Sequence, residues 1–108
     1  MSRRRPYVAA LDWDERNQSH VEEHIDVELI EDLFDGGNWF VFPNYGGHPP
    51  EHRLFIGQTP AGVFVTAVLR DLSHESPGLW RPITGWLSTQ TERKRFRKEQ
   101  IRTRSDYG

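Results

Sequence analysis

The sequence predicts an α+β domain in which two N-terminal helices and a C-terminal helix pack on a small antiparallel β-sheet. Apolar residues recur at helical spacing in residues 12–35, and several runs between residues 39 and 87 are rich in β-branched and aromatic residues. A capping threonine and an acidic first turn then open a last, basic helix. A length of 108 residues fits one domain, residues 1–108, and we expect residues 1–8 and 103–108 to be flexible.

The two N-terminal helices are predicted from caps and spacing. Asp12 or Asp14 can cap the first helix, which we expect to end at His24. One face of that helix collects the residues predicted to pack, namely Trp13, Asn17, His20, Val21 and His24. The second helix starts near Asp26, and residues 35–37, Asp-Gly-Gly, end it.

The sheet is predicted from a weak N-terminal strand and four clearer ones. Tyr7 to Ala10 can pair as an edge strand, and the clearer strands are residues 39–42, 52–58, 63–69 and 79–87. The turn sequence of residues 59–62 joins two of them in a hairpin. Pro82 predicts an edge position or a bulge. Thr89 or Thr91 can cap the final helix, in which Phe96 and Ile101 are the sparse apolar contacts.

The composition narrows the classes of protein. The chain has no cysteine, which excludes disulfides and thiolate metal sites. No apolar stretch approaches the roughly 20 residues that span a bilayer, and no apolar signal-peptide core follows the basic residues 2–6. We therefore expect a soluble cytoplasmic protein without a membrane partner.

Charge is divided unequally along the chain. Residues 1–51 carry four basic and eleven acidic side chains, whereas residues 52–108 carry ten basic and five acidic ones. Seven Lys and Arg fall between residues 92 and 104, although the net charge is only -2. A local basic surface can hold a polyanion whatever the total charge. The alternative is a solvated helix face that balances the acidic helices.

Two histidine pairs have metal-ligand spacing. Residues 20–24, His-Val-Glu-Glu-His, match the reversed zinc-peptidase signature H-x-x-E-H. His48 and His52 have the same separation, but two prolines between them favour a loop. The alternative for the first helix is that Asn17, His20 and His24 hydrogen-bond the sheet or line a polar pocket.

Five arginines on different elements can converge if the last helix crosses the sheet. Arg53 and Arg70 lie on the predicted hairpin, Arg81 on the next strand, and Arg93 and Arg97 on the basic helix. Guanidinium groups suit phosphate, and in RNA cleavage they can hold the scissile phosphate. Trp80, Trp86 and Phe96 are near in sequence and could stack bases. The alternative is pairing of the arginines with Glu15, Glu22, Glu28 or Glu31.

Several of these motifs occur in one order along the chain. Leu11-Asp12-Trp13-Asp14 precedes a helix, residues 51–57 read Glu-His-Arg-Leu-Phe-Ile-Gly, and Glu92-Arg93 comes shortly before Phe96. Over about 85 residues the chain thereby resembles the BrnT-like branch of the RelE-type toxins. It departs from that pattern at His24-Ile25-Asp26-Val27, at Trp86-Leu87 and at Phe96, where the family has a tyrosine.

The resemblance implies a type II toxin that cleaves RNA, including ribosome-associated mRNA, with no metal or other cofactor, and that pairs with a cognate antitoxin. Arg53, Arg70 and Arg93 match basic positions of the family, and we add Arg81 and His52 as catalytic candidates. A 2′-hydroxyl would attack the adjacent phosphate while His52 moves a proton. The RNA-binding candidates are Arg93, Lys94, Arg97, Lys98 and Trp86. The alternative is a non-catalytic interaction or nucleic-acid-binding module of the same fold.

Overall fold

Three helices and five strands form a layered α+β structure. It is a computed structural model that describes residues 6–47 and 49–105. In chain order the elements are β1 Ala10–Leu11, α1 Glu15–Glu22, α2 Val27–Phe34, β2 Asn38–Pro43, β3 His52–Gln58, β4 Phe64–Asp71, β5 Leu79–Leu87 and α3 Gln90–Ser105. The expected flexibility of residues 1–5 and 106–108 lies outside the described residues, whereas α3 continues into the segment 103–105. No helix of the described residues is long and apolar enough to cross a membrane.

The sheet has the order β1-β5-β4-β3-β2 and is mixed. Strands β2 to β5 form the predicted antiparallel meander. β1, however, pairs parallel to β5, Ala10 opposite Leu79 and Leu11 opposite Trp80, so the prediction of a purely antiparallel sheet was wrong. The path of the chain accounts for this parallel direction. Two helices separate β1 from β2, so β2 runs opposite to β1, and the three reversals from β2 to β5 make β5 run parallel to β1.

Alternating strand residues divide the core into two layers. Phe55, Val65 and Ala67 face α1 and α2, where Val21, Ile30 and Leu33 join the same buried cluster. Leu54, Ile56 and Val68 are buried on the opposite face of the sheet, together with Phe96 of α3. The sheet is therefore enclosed by the two N-terminal helices on one side and by α3 on the other.

Helix α1 is shorter than predicted and presents a narrower face to the sheet. Asp14 caps it, and Asn17 and Val21 are its buried residues. The helix ends at Glu22, two residues before the predicted end, and the chain turns so that Ile25 enters the core. His20 and His24, predicted to pack, are exposed instead. The helix has eight residues and makes only about two turns, so it presents just two buried residues to the sheet.

Pro82 occupies an irregular position of β5, as predicted. Leu69 pairs with Pro82 and Val68 with Thr84, so Ile83 is an extra residue in β5. The side-chain amide of Asn17 donates to the Pro82 carbonyl at 3.0 Å and to the Asp12 carbonyl at 2.8 Å. Asn17 therefore connects α1 to β5 at Pro82. This position follows Leu79 and Trp80, the two β5 residues that pair with β1. This confirms, for Asn17 alone, the alternative that α1 polar residues hydrogen-bond the sheet.

Candidate nucleic-acid interface

Helix α3 begins with a capping box. The Thr89 hydroxyl accepts from the Glu92 backbone N–H at 3.2 Å, and the Glu92 carboxylate accepts from the Thr89 N–H at 2.8 Å. Glu92 is only 2% exposed. The spacing Thr89-x-x-Glu92 is visible in the sequence, and it fixes where the basic helix leaves the sheet.

The Glu92 carboxylate also receives three side-chain donors. The Trp86 indole N–H donates at 2.9 Å, the Thr66 hydroxyl at 3.0 Å and the Tyr45 hydroxyl at 2.8 Å. Burial raises the pKa of Glu92, but these hydrogen bonds and the Thr89 N–H outweigh it, and the net shift is downward. The carboxylate is thus held ionised, and it connects strands β4 and β5 and the β2–β3 loop to the start of α3.

Tyr45 joins this network from the loop between β2 and β3, in which the sequence indicated His48 but not Tyr45 as a candidate residue. Its residue is 54% exposed, yet its hydroxyl is bound to Glu92. Desolvation and the hydrogen bond to Glu92 raise the pKa of Tyr45. Gly46 and Gly47, with φ of 73° and 69°, turn the chain immediately after it. No sequence spacing relates Tyr45 to Glu92, because 47 residues separate them.

Phe96 fixes α3 on the sheet. It is 1% exposed, and its ring centroid lies 5.4 Å from that of Phe40 and 5.7 Å from that of Phe64. Phe96 is therefore a core residue, and the prediction that it packs on the sheet is confirmed. Ile101, predicted to be a second apolar contact, is 64% exposed, so that expectation was wrong. Glu92 and Phe96, one turn apart, suffice to define the buried side of α3.

The other sides of α3 present cations. Arg93, Lys94, Arg97 and Lys98 are exposed. The guanidinium carbons of Arg93 and Arg97 each lie 5.3 Å from the Phe64 ring centroid. On another side of the helix, the Arg95 guanidinium carbon lies 4.4 Å from the Phe42 ring centroid. The arginines thus border the apolar contact between helix and sheet.

These cations have no anionic partner among the residues that the structure describes. Within residues 6–47 and 49–105, Arg93, Lys94, Arg97 and Lys98 form no ion pair; Arg102 pairs with Glu99 of the same helix. The carboxylates exposed on α1 and α2, which pack on the other face of the sheet, are those of Glu15, Glu22, Glu28, Glu31 and Asp32. The cationic side of α3 is therefore free to attract an external polyanion.

Three predicted catalytic residues form a row across neighbouring strands. His52 of β3 pairs with Arg70 of β4, and Arg70 pairs with Arg81 of β5. Directly opposite residues of antiparallel strands have Cβ atoms about 4.5–5.5 Å apart. Arg70 is exposed and His52 is partly buried. The register thus brings these three positions together, but of the five arginines expected to converge it places only Arg70 and Arg81 side by side.

Arg81 of this row has carboxylate partners. Its guanidinium group donates to Asp12 at 3.1 Å and to Asp14 at 2.8 Å, and its side chain is 24% exposed. The alternative expected from the sequence was that the arginines pair with Glu15, Glu22, Glu28 or Glu31. Arg81 does pair with carboxylates, but not with these four. The two aspartates precede α1, and the alignment of β1 with β5 carries them to Arg81.

Arg53 and Arg93 lie apart from the row. Arg53 precedes Leu54 on β3, and by strand alternation its side chain belongs to the opposite face from His52. Its guanidinium donates to the carbonyls of Pro50 and His52. Arg93 contacts Phe64, six residues before Arg70 along β4, which corresponds to roughly 20 Å of strand. The structure therefore gives two separate groups of candidate residues.

The remaining sequence candidates have other surroundings. Trp86 is partly buried against the core layer below α3, and its indole N–H is bound to Glu92. The His20 and His24 rings lie 5.7 Å apart, and His48 lies outside the described residues. No group of three or more His, Asp or Glu that could hold a metal occurs in the part of the chain that the structure describes.

Comparison with known proteins gives no assignment: no protein-family model, no curated protein and no solved structure matches this chain.

Proposed function

We propose that this protein binds RNA through the cationic side of α3, defined by Arg93, Lys94, Arg97 and Lys98. One observation carries the proposal: four exposed cations follow one another along a helix and have no carboxylate partner within the described residues. Neutralising phosphates releases counterions, so binding should weaken as salt rises. The half-buried Phe64 lies beneath the guanidinium groups of Arg93 and Arg97, so two of the four cations rest on an aromatic ring of the sheet.

The test is a salt titration of binding to a labelled, unstructured 12-nucleotide oligouridylate, followed by fluorescence anisotropy. If the four cations contact phosphates, log K should fall with log salt at a slope of about -2.8, since each contact contributes about -0.7 on a single strand. The variant Lys94→Gln/Lys98→Gln should halve that slope. The control Arg16→Glu, on the acidic side of the sheet, lowers the net charge by the same two units. If Arg16→Glu reduced the salt slope as much as Lys94→Gln/Lys98→Gln does, a binding site localised on α3 would be refuted.

A second candidate, metal-independent RNA cleavage, is favoured by the alignment of His52 with Arg70. In this proposal the RelE-type resemblance supplies the reaction: a 2′-hydroxyl attacks the adjacent phosphate as His52 accepts its proton, the P–O5′ bond breaks to leave a 2′,3′-cyclic phosphate, and the departing 5′-oxygen takes a proton from water. Arg70 stabilises the charge that develops on the phosphate oxygens. The pairing of Arg81 with Asp12 and Asp14 reduces its availability for that role. Cleavage in EDTA that His52→Ala and Arg70→Gln each abolish would support the candidate. Cleavage unaffected by both variants, or no cleavage, would refute it.

A further inference from the structure

The four cations of the α3 surface differ in their immediate surroundings. Arg93 and Arg97 are one helical turn apart, and both guanidinium groups lie over the same ring, Phe64. Their guanidinium carbons are therefore at most 10.6 Å apart, which is twice the 5.3 Å that separates each from the shared centroid. Neither Lys94 nor Lys98 contacts a ring of the described residues. The two arginines form an ordered pair, whereas the two lysines are solvated charges.

Phe64 is itself held in place. Its ring meets the buried Phe96 ring at 5.7 Å with an interplanar angle of 80°. As the first residue of β4, it pairs with Gln58 of β3. A guanidinium group that stacks on a fixed ring keeps its planar set of N–H donors available at the edge. Because both arginines stack on the Phe64 ring, this one fixed ring orients the N–H donors of both guanidinium groups.

From this geometry we propose that Arg93, Arg97 and Phe64 form a clamp for the phosphodiester backbone of the RNA, with Phe64 as the positioning residue. This inference rests on the proposed function and deepens it. The arginines donate to non-bridging phosphate oxygens in the forked manner that a lysine ammonium cannot reproduce. Lys94 and Lys98 contribute charge, and hence salt dependence, without fixing the position of a phosphate.

Charge-conserving exchanges separate the clamp from general electrostatic attraction. The variant Arg93→Lys/Arg97→Lys keeps all the positive charge but loses the forks and their stacking. We expect it to bind the 12-nucleotide oligouridylate about tenfold more weakly, with an unchanged salt slope. The matched exchange Lys94→Arg/Lys98→Arg, at exposed positions of the same helix, should change affinity by less than about twofold.

The positioning role of Phe64 predicts a dependence between the variants. Phe64→Leu keeps an apolar residue under the helix and should by itself weaken RNA binding about fivefold. In the combined variant Phe64→Leu/Arg93→Lys/Arg97→Lys, RNA affinity should fall by a factor well below the product of the two separate factors. The reason is that the ring acts only through the arginines. Circular dichroism melting curves verify that each variant is folded at the assay temperature.

The outcomes distinguish the clamp from the binding function. Salt-dependent binding that is retained within twofold by Arg93→Lys/Arg97→Lys overturns the clamp and leaves RNA binding intact. Equal losses from the arginine and lysine exchanges, or fully multiplicative losses with Phe64→Leu, overturn it as well. If the wild-type protein shows no salt-dependent RNA binding, the proposed function itself fails. Selective loss at the arginines with a non-multiplicative Phe64 effect supports the clamp.

Discussion

Replacement of Glu92 by alanine should destabilise the protein by several kcal/mol, although the side chain belongs to a largely exposed helix. Glu92 is 2% exposed, and its carboxylate accepts from Thr89, Trp86, Thr66 and Tyr45. Alanine removes the acceptor for all four donors at once. The cost depends on which of these donors can find another partner.

The structure permits an estimate of that cost. Thr66 retains its hydrogen bond with Ser88 at 2.8 Å, and the half-exposed Tyr45 can reach water. Loss of the acceptor for the Thr89 backbone N–H costs about 1 kcal/mol, and the unsatisfied Trp86 indole N–H costs about 1–3 kcal/mol. Glu92→Ala should therefore cost about 2–4 kcal/mol. Glu92→Gln keeps a capping-box acceptor and should cost about 1 kcal/mol through the loss of charge assistance.

Urea unfolding at pH 7, followed by tryptophan fluorescence, measures both values, and Glu22→Ala on the exposed side of α1 serves as the control. The pKa of Glu92 is lowered from its ordinary 4.5, so its contribution is complete above that value and is lost as the pH falls through the lowered pKa. The stability gap between wild type and Glu92→Gln should accordingly narrow in acid. An alanine variant as stable as the Glu22→Ala control, or a gap independent of pH, would refute the reasoning.

Three further outcomes are expected. Gly57→Ala should destabilise by about 1–3 kcal/mol, because its Cβ would lie 2.4 Å from the Asn38 carbonyl oxygen; a melting temperature equal to wild type would contradict this. Phe96→Ala should cost about 3–5 kcal/mol in urea unfolding, and a loss below 1 kcal/mol would show that α3 is not held by this ring. The Asn17 N–H and then Arg81 lower the pKa of Asp14 from 3.8, so Asp14 stabilises the fold above that pH and loses its effect in stronger acid. Asp14→Asn should therefore flatten the acid side of the stability profile, and an unchanged profile would count against the assignment.

The local elements could be predicted from the sequence because their signals are short in range. The alternation and turn residues of residues 52–69 predicted the hairpin nearly to its observed bounds, and residues 79–87 match β5 as observed. The caps at Asp14, Asp26 and Thr89 lie within three residues of the groups that they bind. Each of these features depends on neighbours in the chain, which is why pattern and propensity were sufficient.

The site could be predicted only in part, because it depends on register and on contacts between distant residues. The row from His52 to Arg81 follows from the pairing of three strands, which periodicity does not specify. The bond from Tyr45 to Glu92 has no signal in the sequence at all. The helical spacing of His20 and His24 predicts that both belong to a packing face, but only Asn17 and Val21 of α1 are buried. Spacing defines a face, but tertiary packing decides how much of it is covered.

The separation of charge across the sheet has a consequence for binding that the net charge of -2 conceals. The protein is 28 Å across in its smallest dimension, and the acidic α1 and α2 lie on the opposite side of the sheet from α3. At about 0.15 M salt the Debye length is about 8 Å, so a strand on α3 experiences mainly the cations of that helix. At about 0.01 M salt it is about 30 Å, and the acidic side also repels the strand. The logarithmic salt plot should therefore flatten at low ionic strength, and more so in a variant that adds acidic residues to α1, whereas a straight line over the whole range would show that the acidic helices do not act on the bound strand.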